Sequence, residues 1–78
     1  MEVDFIVYGP KGFFAIEVKS GRDVSPSDVK ALCIFKEEYP EATCLLLYGG
    51  NRRLKVRDIL CIPAEEFLRN LSPDQLLL

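Results

Sequence analysis

One tetrapeptide, Gly9-Pro10-Lys11-Gly12, leaves little choice about the chain around it. Proline presets φ at the second position of a turn, and flanking glycines suit the reversal. On either side lie runs of strand composition, Glu2 to Tyr8 and Phe13 to Lys19, and the first of them begins by alternating polar and apolar residues. The spacing predicts a β-hairpin. With Pro10 and Lys11 at the tip, Gly9 faces Gly12, Asp4 faces Glu17 and Glu2 faces Lys19. Side chains alternate along a strand, so Glu2, Asp4, Ile6 and Tyr8 share a face with Phe13, Ala15, Glu17 and Lys19. Val3, Phe5, Val7, Phe14, Ile16 and Val18 take the other face, which is wholly apolar and needs a covering layer such as a helix. Tyr8 and Phe13 are expected to pair across the hairpin, as packing rather than as a base-stacking platform.

The hairpin is followed by a loop from Ser20 to Val24 and then by Ser25-Pro26-Ser27-Asp28, a helix start: a capping serine, proline at the first helical position, an acid near the positive end of the dipole. That helix should stop at Tyr39, before Pro40. Val29, Ala31, Leu32, Cys33, Phe35 and Tyr39 form its apolar arc, with Lys36 inside the arc and Ile34 outside it as exceptions. Ala42 to Tyr48 is apolar throughout, the mark of a strand covered on both faces. Arg52 to Arg57 alternates basic and apolar residues, and Asp58 to Ile62 reads as a short final strand. A helix from Pro63 to Asn70 follows, and Ser72-Pro73-Asp74 is a start signal for another. The order β-β-α-β-β-α requires a crossover helix. The expected fold is therefore one α/β domain over residues 1–78, with a mixed sheet of about four strands and two main helices.

Composition narrows the chemistry. A formal net charge of −2 lacks the basic excess of a typical nucleic-acid binder. Without histidine, the commonest general base and transition-metal ligand is missing. Cys33, Cys44 and Cys61 have no C-x-x-C spacing and sit among aliphatic residues, so free thiols in a reducing cytoplasm are expected, not a zinc site. The apolar run Ala42 to Gly50 is too short to span a bilayer, so no membrane partner is expected. No G-x-x-x-x-G-K-[ST] is present, so the chain itself is not expected to bind nucleotide through a P-loop.

The hairpin carries the candidate site. Directly opposed carboxylates on Asp4 and Glu17 destabilise a strand pair by some tenths of a kcal/mol to about 1. A cation, Lys19 or open solvent must offset that. A divalent ion such as Mg²⁺ or Mn²⁺, which takes one or two carboxylates with waters, is the functional answer. Lys19, two residues from Glu17 on the same face, could then polarise a metal-bound water. A second candidate is Arg52, Arg53, Lys55 and Arg57: in a strand, the last three would point one way, toward phosphates. A charged edge that blocks sheet-to-sheet association is the preferred reading of that run. Ile34 and Leu76 to Leu78 are apolar residues suited to a partner surface, including a homodimer contact.

Asp4, the turn and then Glu17-Val18-Lys19 resemble the D…ExK signature of the PD-(D/E)xK phosphodiesterase superfamily. Glu2-Val-Asp-Phe5 with Ala15-Ile-Glu-Val-Lys-Ser-Gly21, and later Ile62-Pro63 leading to Phe67-Leu68, resemble more specifically the uncharacterised C-terminal domain of prokaryotic AAA-type ATPases, over roughly residues 2 to 70. The resemblance implies a reduced restriction-endonuclease-like core, with metal on Asp4, Glu17 and the carbonyl of Val18, and Lys19 as the water-activating lysine. It also implies an ATPase core as partner, in cis or in a related chain, and nucleic acid as a second partner. The superfamily's helix before the hairpin has no counterpart here, so the chain is expected to be a fragment or C-terminal domain of a larger ATPase. The expected function is a non-catalytic or weakly metal-binding accessory domain, with a Mg²⁺-dependent phosphodiesterase acting on DNA or RNA as the alternative.

Overall fold

A computed structural model describes residues 3–10 and 12–70. The hairpin forms from β1 (Phe5–Gly9) and β2 (Gly12–Val18) in the expected antiparallel register, with Phe5 opposite Ile16, Tyr8 opposite Phe13 and Gly9 opposite Gly12. A single turn of 3-10 helix, Pro26–Val29, leads into α1 (Lys30–Glu38), which carries the chain over the sheet. β3 (Thr43–Tyr48) then pairs parallel to β2, as a crossover helix requires, with Glu17 in register with Leu46.

The expectation of about four strands falls one short. The basic stretch contributes a short β4 (Leu54–Val56), antiparallel to β5 (Ile59–Pro63). Only Arg57 and Asp58 lie between them, at φ 51° and 66°. Two consecutive left-handed residues make the mirror-type turn whose twist matches a hairpin. The usual asparagine-glycine signal is missing here, which hid the hairpin from the sequence. β5 pairs parallel to β3, and the sheet order is β1-β2-β3-β5-β4. α2 (Ala64–Arg69) closes the described chain. The second helix start, at Ser72, lies outside the described residues.

Each face of the sheet has its own core. On one, Ala15, Cys44, Leu46 and Cys61 meet Val29, Leu32 and Phe35 of the 3-10 turn and α1. On the other, Ile16, Leu45, Leu47 and Ile62 meet Phe67 of α2. The unbroken apolarity of β3 is explained: its odd residues serve one core and its even residues the other. Phe13 extends the α1 side, with ring centroids 5.7 Å from Phe35 and 5.6 Å from Tyr39. Tyr8 pairs with Phe13 at 5.0 Å but stays largely exposed.

Alternation had assigned Val3 to the α2 side. Val3 packs instead against the α1-side core. The chain bends at Asp4 and β1 starts only at Phe5, so strand parity does not reach Val3. The two exceptions on α1 also have physical explanations. Lys36 turns its ammonium onto the Ala42 carbonyl at 2.6 Å, tying the helix end to the start of β3, and Ile34 stands exposed. Among the described residues no helix is long and apolar enough to cross a membrane.

Candidate functional site

β2 carries Glu17, Val18 and Lys19 to the corner of the sheet where β1 begins. Its backbone groups alternate between two neighbours. The Lys19 amide donates to the Leu47 carbonyl of β3 at 2.8 Å, extending the parallel ladder by one bond. The Val18 amide points the other way, toward β1, where the bend has removed a ladder partner. The Asp4 carboxylate takes that place, and its Oδ2 accepts the Val18 amide at 2.8 Å. Asp4 thus has one oxygen engaged by the backbone of the very residue whose carbonyl the resemblance implies as a ligand.

Glu17 lies on the α1 side of β2, half-buried, with Oε1 enclosed by protein. Lys19 shares that face and reaches away from the hairpin. Its Nζ lies 3.2 Å from Asp28 Oδ2, in the 3-10 turn. Strand alternation sets Lys19 opposite Glu2, a residue outside the described ones. Asp28 is the site residue that sequence reasoning read only as a helix-start acid. It does perform that role: its Oδ2 accepts the Ser25 amide at 2.8 Å and the Ser25 hydroxyl at 3.0 Å. The Ser25 backbone hydrogen bond holds the Asp28 carboxyl below the usual carboxylate range against an opposing desolvation effect, and the Lys19 ammonium and Ser25 hydroxyl lower it further. Serine followed by an acid three residues later signals the fixed carboxylate. No local signal reports that it would meet Lys19.

Two contacts are thus made at the end of β2, Asp4 to the Val18 amide and Asp28 to the Lys19 ammonium. Hard divalent cations take carboxylate and carbonyl oxygens, and Asp4, Glu17 and the Val18 carbonyl are the groups of that kind that the resemblance implies. Among the described residues no group of three or more histidine, cysteine, aspartate or glutamate side chains is placed to hold a metal ion.

The basic run does not form the one-sided stripe its alternation suggested. Only Leu54–Val56 is strand. Arg53 precedes it and turns to α2, where Nε and Nη2 both lie 2.8 Å from Glu66 Oε2. Arg57 sits in the turn after β4 and lines a groove of about 550 Å³ with Lys30, Cys33 and Ile34 on the α1 side. Arg53 and Arg57 are thus directed to opposite faces of the sheet, because the two-residue turn ends the alternation at Val56. Arg52 and Lys55 are exposed. A second groove, of about 440 Å³, opens at the carboxyl ends of β3 and β5 and is lined by Arg22, Asn51, Glu65 and Arg69 among others. Neither groove is lined by Asp4, Glu17 or Lys19.

All three cysteines are free, Cys44 and Cys61 buried and Cys33 half-buried. Burial raises the thiol pKa of both Cys44 and Cys61.

These features define a small mixed α/β domain whose first hairpin is closed at its open end by the Asp4 carboxylate. Residues 1–67 match the family described as a domain of unknown function, DUF4143, and the chain belongs to that family. That domain is normally found with AAA ATPase regions. Comparisons with curated proteins and with solved structures returned no match.

Proposed function

We propose that this chain is an accessory domain of a prokaryotic AAA-type ATPase, with a reduced nuclease-like core that binds Mg²⁺ or Mn²⁺ weakly and does not turn over substrate efficiently. One observation carries the reading. Two of the polar groups a nuclease would need are committed to the fold: an Asp4 oxygen to the Val18 amide and the Lys19 ammonium to Asp28. A lysine held by a carboxylate of the fold is diverted from a metal-bound water, and an acid serving as a backbone acceptor gives up part of its ligand capacity. Asp4, Glu17 and the Val18 carbonyl remain the groups for a weakly held cation. The ATPase core would be supplied in cis or by a related chain, and the free thiols suit a cytoplasmic setting.

The alternative is a Mg²⁺-dependent phosphodiesterase acting on DNA or RNA, supported by the docking of Asp4 on Val18, the residue between Glu17 and Lys19 in the chain. Two measurements separate the readings. In a Mg²⁺ titration followed by amide NMR, the accessory reading expects small shifts at Asp4, Glu17 and Val18 that saturate only at millimolar metal. No response at any of the three removes the metal from the proposal. Oligonucleotide cleavage that needs metal and disappears in Lys19→Ala would replace the accessory reading with the enzymatic one. ATP turnover by the cognate core, measured with and without this domain, tests the partner, and equal rates and equal complex stability would exclude it.

A further inference from the structure

The two edges of the sheet are built differently. β4 spans only Leu54–Val56, carries Lys55 at its centre and turns off through Arg57 and Asp58. Short length and a central lysine are ordinary protections of an open edge. The opposite edge is β1, whose five residues, Phe5-Ile6-Val7-Tyr8-Gly9, include no charge and no proline. Phe5, Ile6 and Tyr8 are 57%, 49% and 79% exposed. Because they alternate along the strand, apolar groups stand out on both faces of this edge.

Two hydrogen bonds determine which backbone groups β1 presents outward. The Val18 amide points to the β1 side, onto Asp4, and the Lys19 amide points to β3, onto Leu47. Backbone groups alternate between neighbouring strands, so Phe14 and Ile16 are also directed at β1. Their partners there are Val7 and Phe5, which face inward. Ile6 and Tyr8 therefore turn their amides and carbonyls to the open edge.

We propose that this edge pairs with β1 of a second copy of the chain, antiparallel, about a two-fold axis at Val7. In that register Ile6 of each copy lies opposite Tyr8 of the other, and the outward backbone groups of both residues are used. Val7 meets Val7, and Phe5 lies beside Gly9, where the missing side chain leaves room for the ring. Self-pairing brings no like charges together, since the strand has none. The contact is isologous, so it closes at two copies. Two five-stranded sheets become one continuous sheet, and the remaining edges are the protected β4 strands.

Three side chains exposed to this extent bury on the order of 300 Å² per copy. That is below the roughly 800 Å² per partner of a standard interface, so the dimer is a weak one that forms with rising concentration. Sedimentation of the chain from micromolar to submillimolar concentration should show mass rising from one copy to two and no further. Val7→Lys sets two ammonium groups against each other and should move the transition up to roughly fivefold higher in concentration, with the circular dichroism of the monomer unchanged. In a Cys33→Ser background, Val7→Cys places two thiols about 4.5 Å apart by Cα, within disulfide reach. It should cross-link on mild oxidation, while Gly9→Cys, opposite Phe5, should not. A constant monomer mass, growth beyond two copies, or equal cross-linking at Val7 and Gly9 would overturn the proposal.

Discussion

The Val18 amide donates to the Asp4 carboxylate at 2.8 Å, at the point where β1 has not yet begun and β2 still needs a partner. Asp4 therefore stabilises the hairpin as an acceptor, whatever else it binds. A hydrogen bond to a charged group contributes about 1.5–3 kcal/mol, and the exposure of Asp4 reduces this to about 1. Asp4→Ala should lose about that much in urea denaturation and speed hydrogen exchange at Val18. Asp4→Asn, which keeps an acceptor oxygen, should lose less.

Asp28 makes stability pH-dependent with a definite sign. Its carboxyl is held below the ordinary value, first by the Ser25 backbone hydrogen bond and then by Lys19. The unfolded chain binds that proton more readily, so stability rises with pH through this window. The contribution is fully present above the unfolded value of about 3.9 and is lost as pH falls through the lower folded value. Asp28→Asn should flatten the acid limb of thermal stability between about pH 5 and 2 and leave the slope above pH 6 unchanged.

Arg57 and Asp58 both occupy left-handed backbone, at φ 51° and 66°. Left-handed backbone costs on the order of 1 kcal/mol at a residue such as arginine and less at aspartate, whose short side chain tolerates it. The double substitution Arg57→Asn, Asp58→Gly supplies the preferred mirror-turn pair. It should raise the urea midpoint, by about 1 kcal/mol in stability, without altering the β4–β5 register read by NMR.

Gly50 lies against the ring of Tyr48. A Cβ there would come within 2.2 Å of Tyr48 Cε2, and Tyr48 is buried with its hydroxyl on the Arg52 carbonyl. Gly50→Ala should therefore destabilise by about 1–3 kcal/mol through overpacking, with a changed near-ultraviolet tyrosine signal. Gly9→Ala, where no heavy atom lies within 4 Å of the added Cβ, serves as the comparison and should cost less.

The thiols should separate by burial. Cys33 is half-buried, whereas Cys44 and Cys61 are enclosed and their thiols are held protonated by desolvation. A thiol-reactive dye at neutral pH should label Cys33 first, and the other two only as fast as the protein opens. Fast labelling of Cys44 or Cys61 in the folded state would contradict the two-sided core around β3.

Much of this fold was determined by short-range rules acting within a few residues. The Gly9-Pro10-Lys11-Gly12 turn set the hairpin register from Phe5 to Ile16. Ser25, Pro26 and Asp28 set the helix start, and the unbroken apolar run from Ala42 to Tyr48 announced a strand with cover on both sides. The tertiary structure decided what those rules do not reach. The bend at Asp4 moved Val3 to the other core and turned Asp4 into a backbone acceptor. Packing of the 3-10 turn on β2 brought Asp28 to Lys19. The Arg57–Asp58 turn, which lacks the usual asparagine-glycine pair, made a fifth strand and divided the basic run, with Arg53 drawn to Glu66 on α2. The physical reason is one of range. Dihedral preferences and alternation are properties of neighbours in the chain, whereas an ion pair or a covered face depends on which distant segments the core brings together.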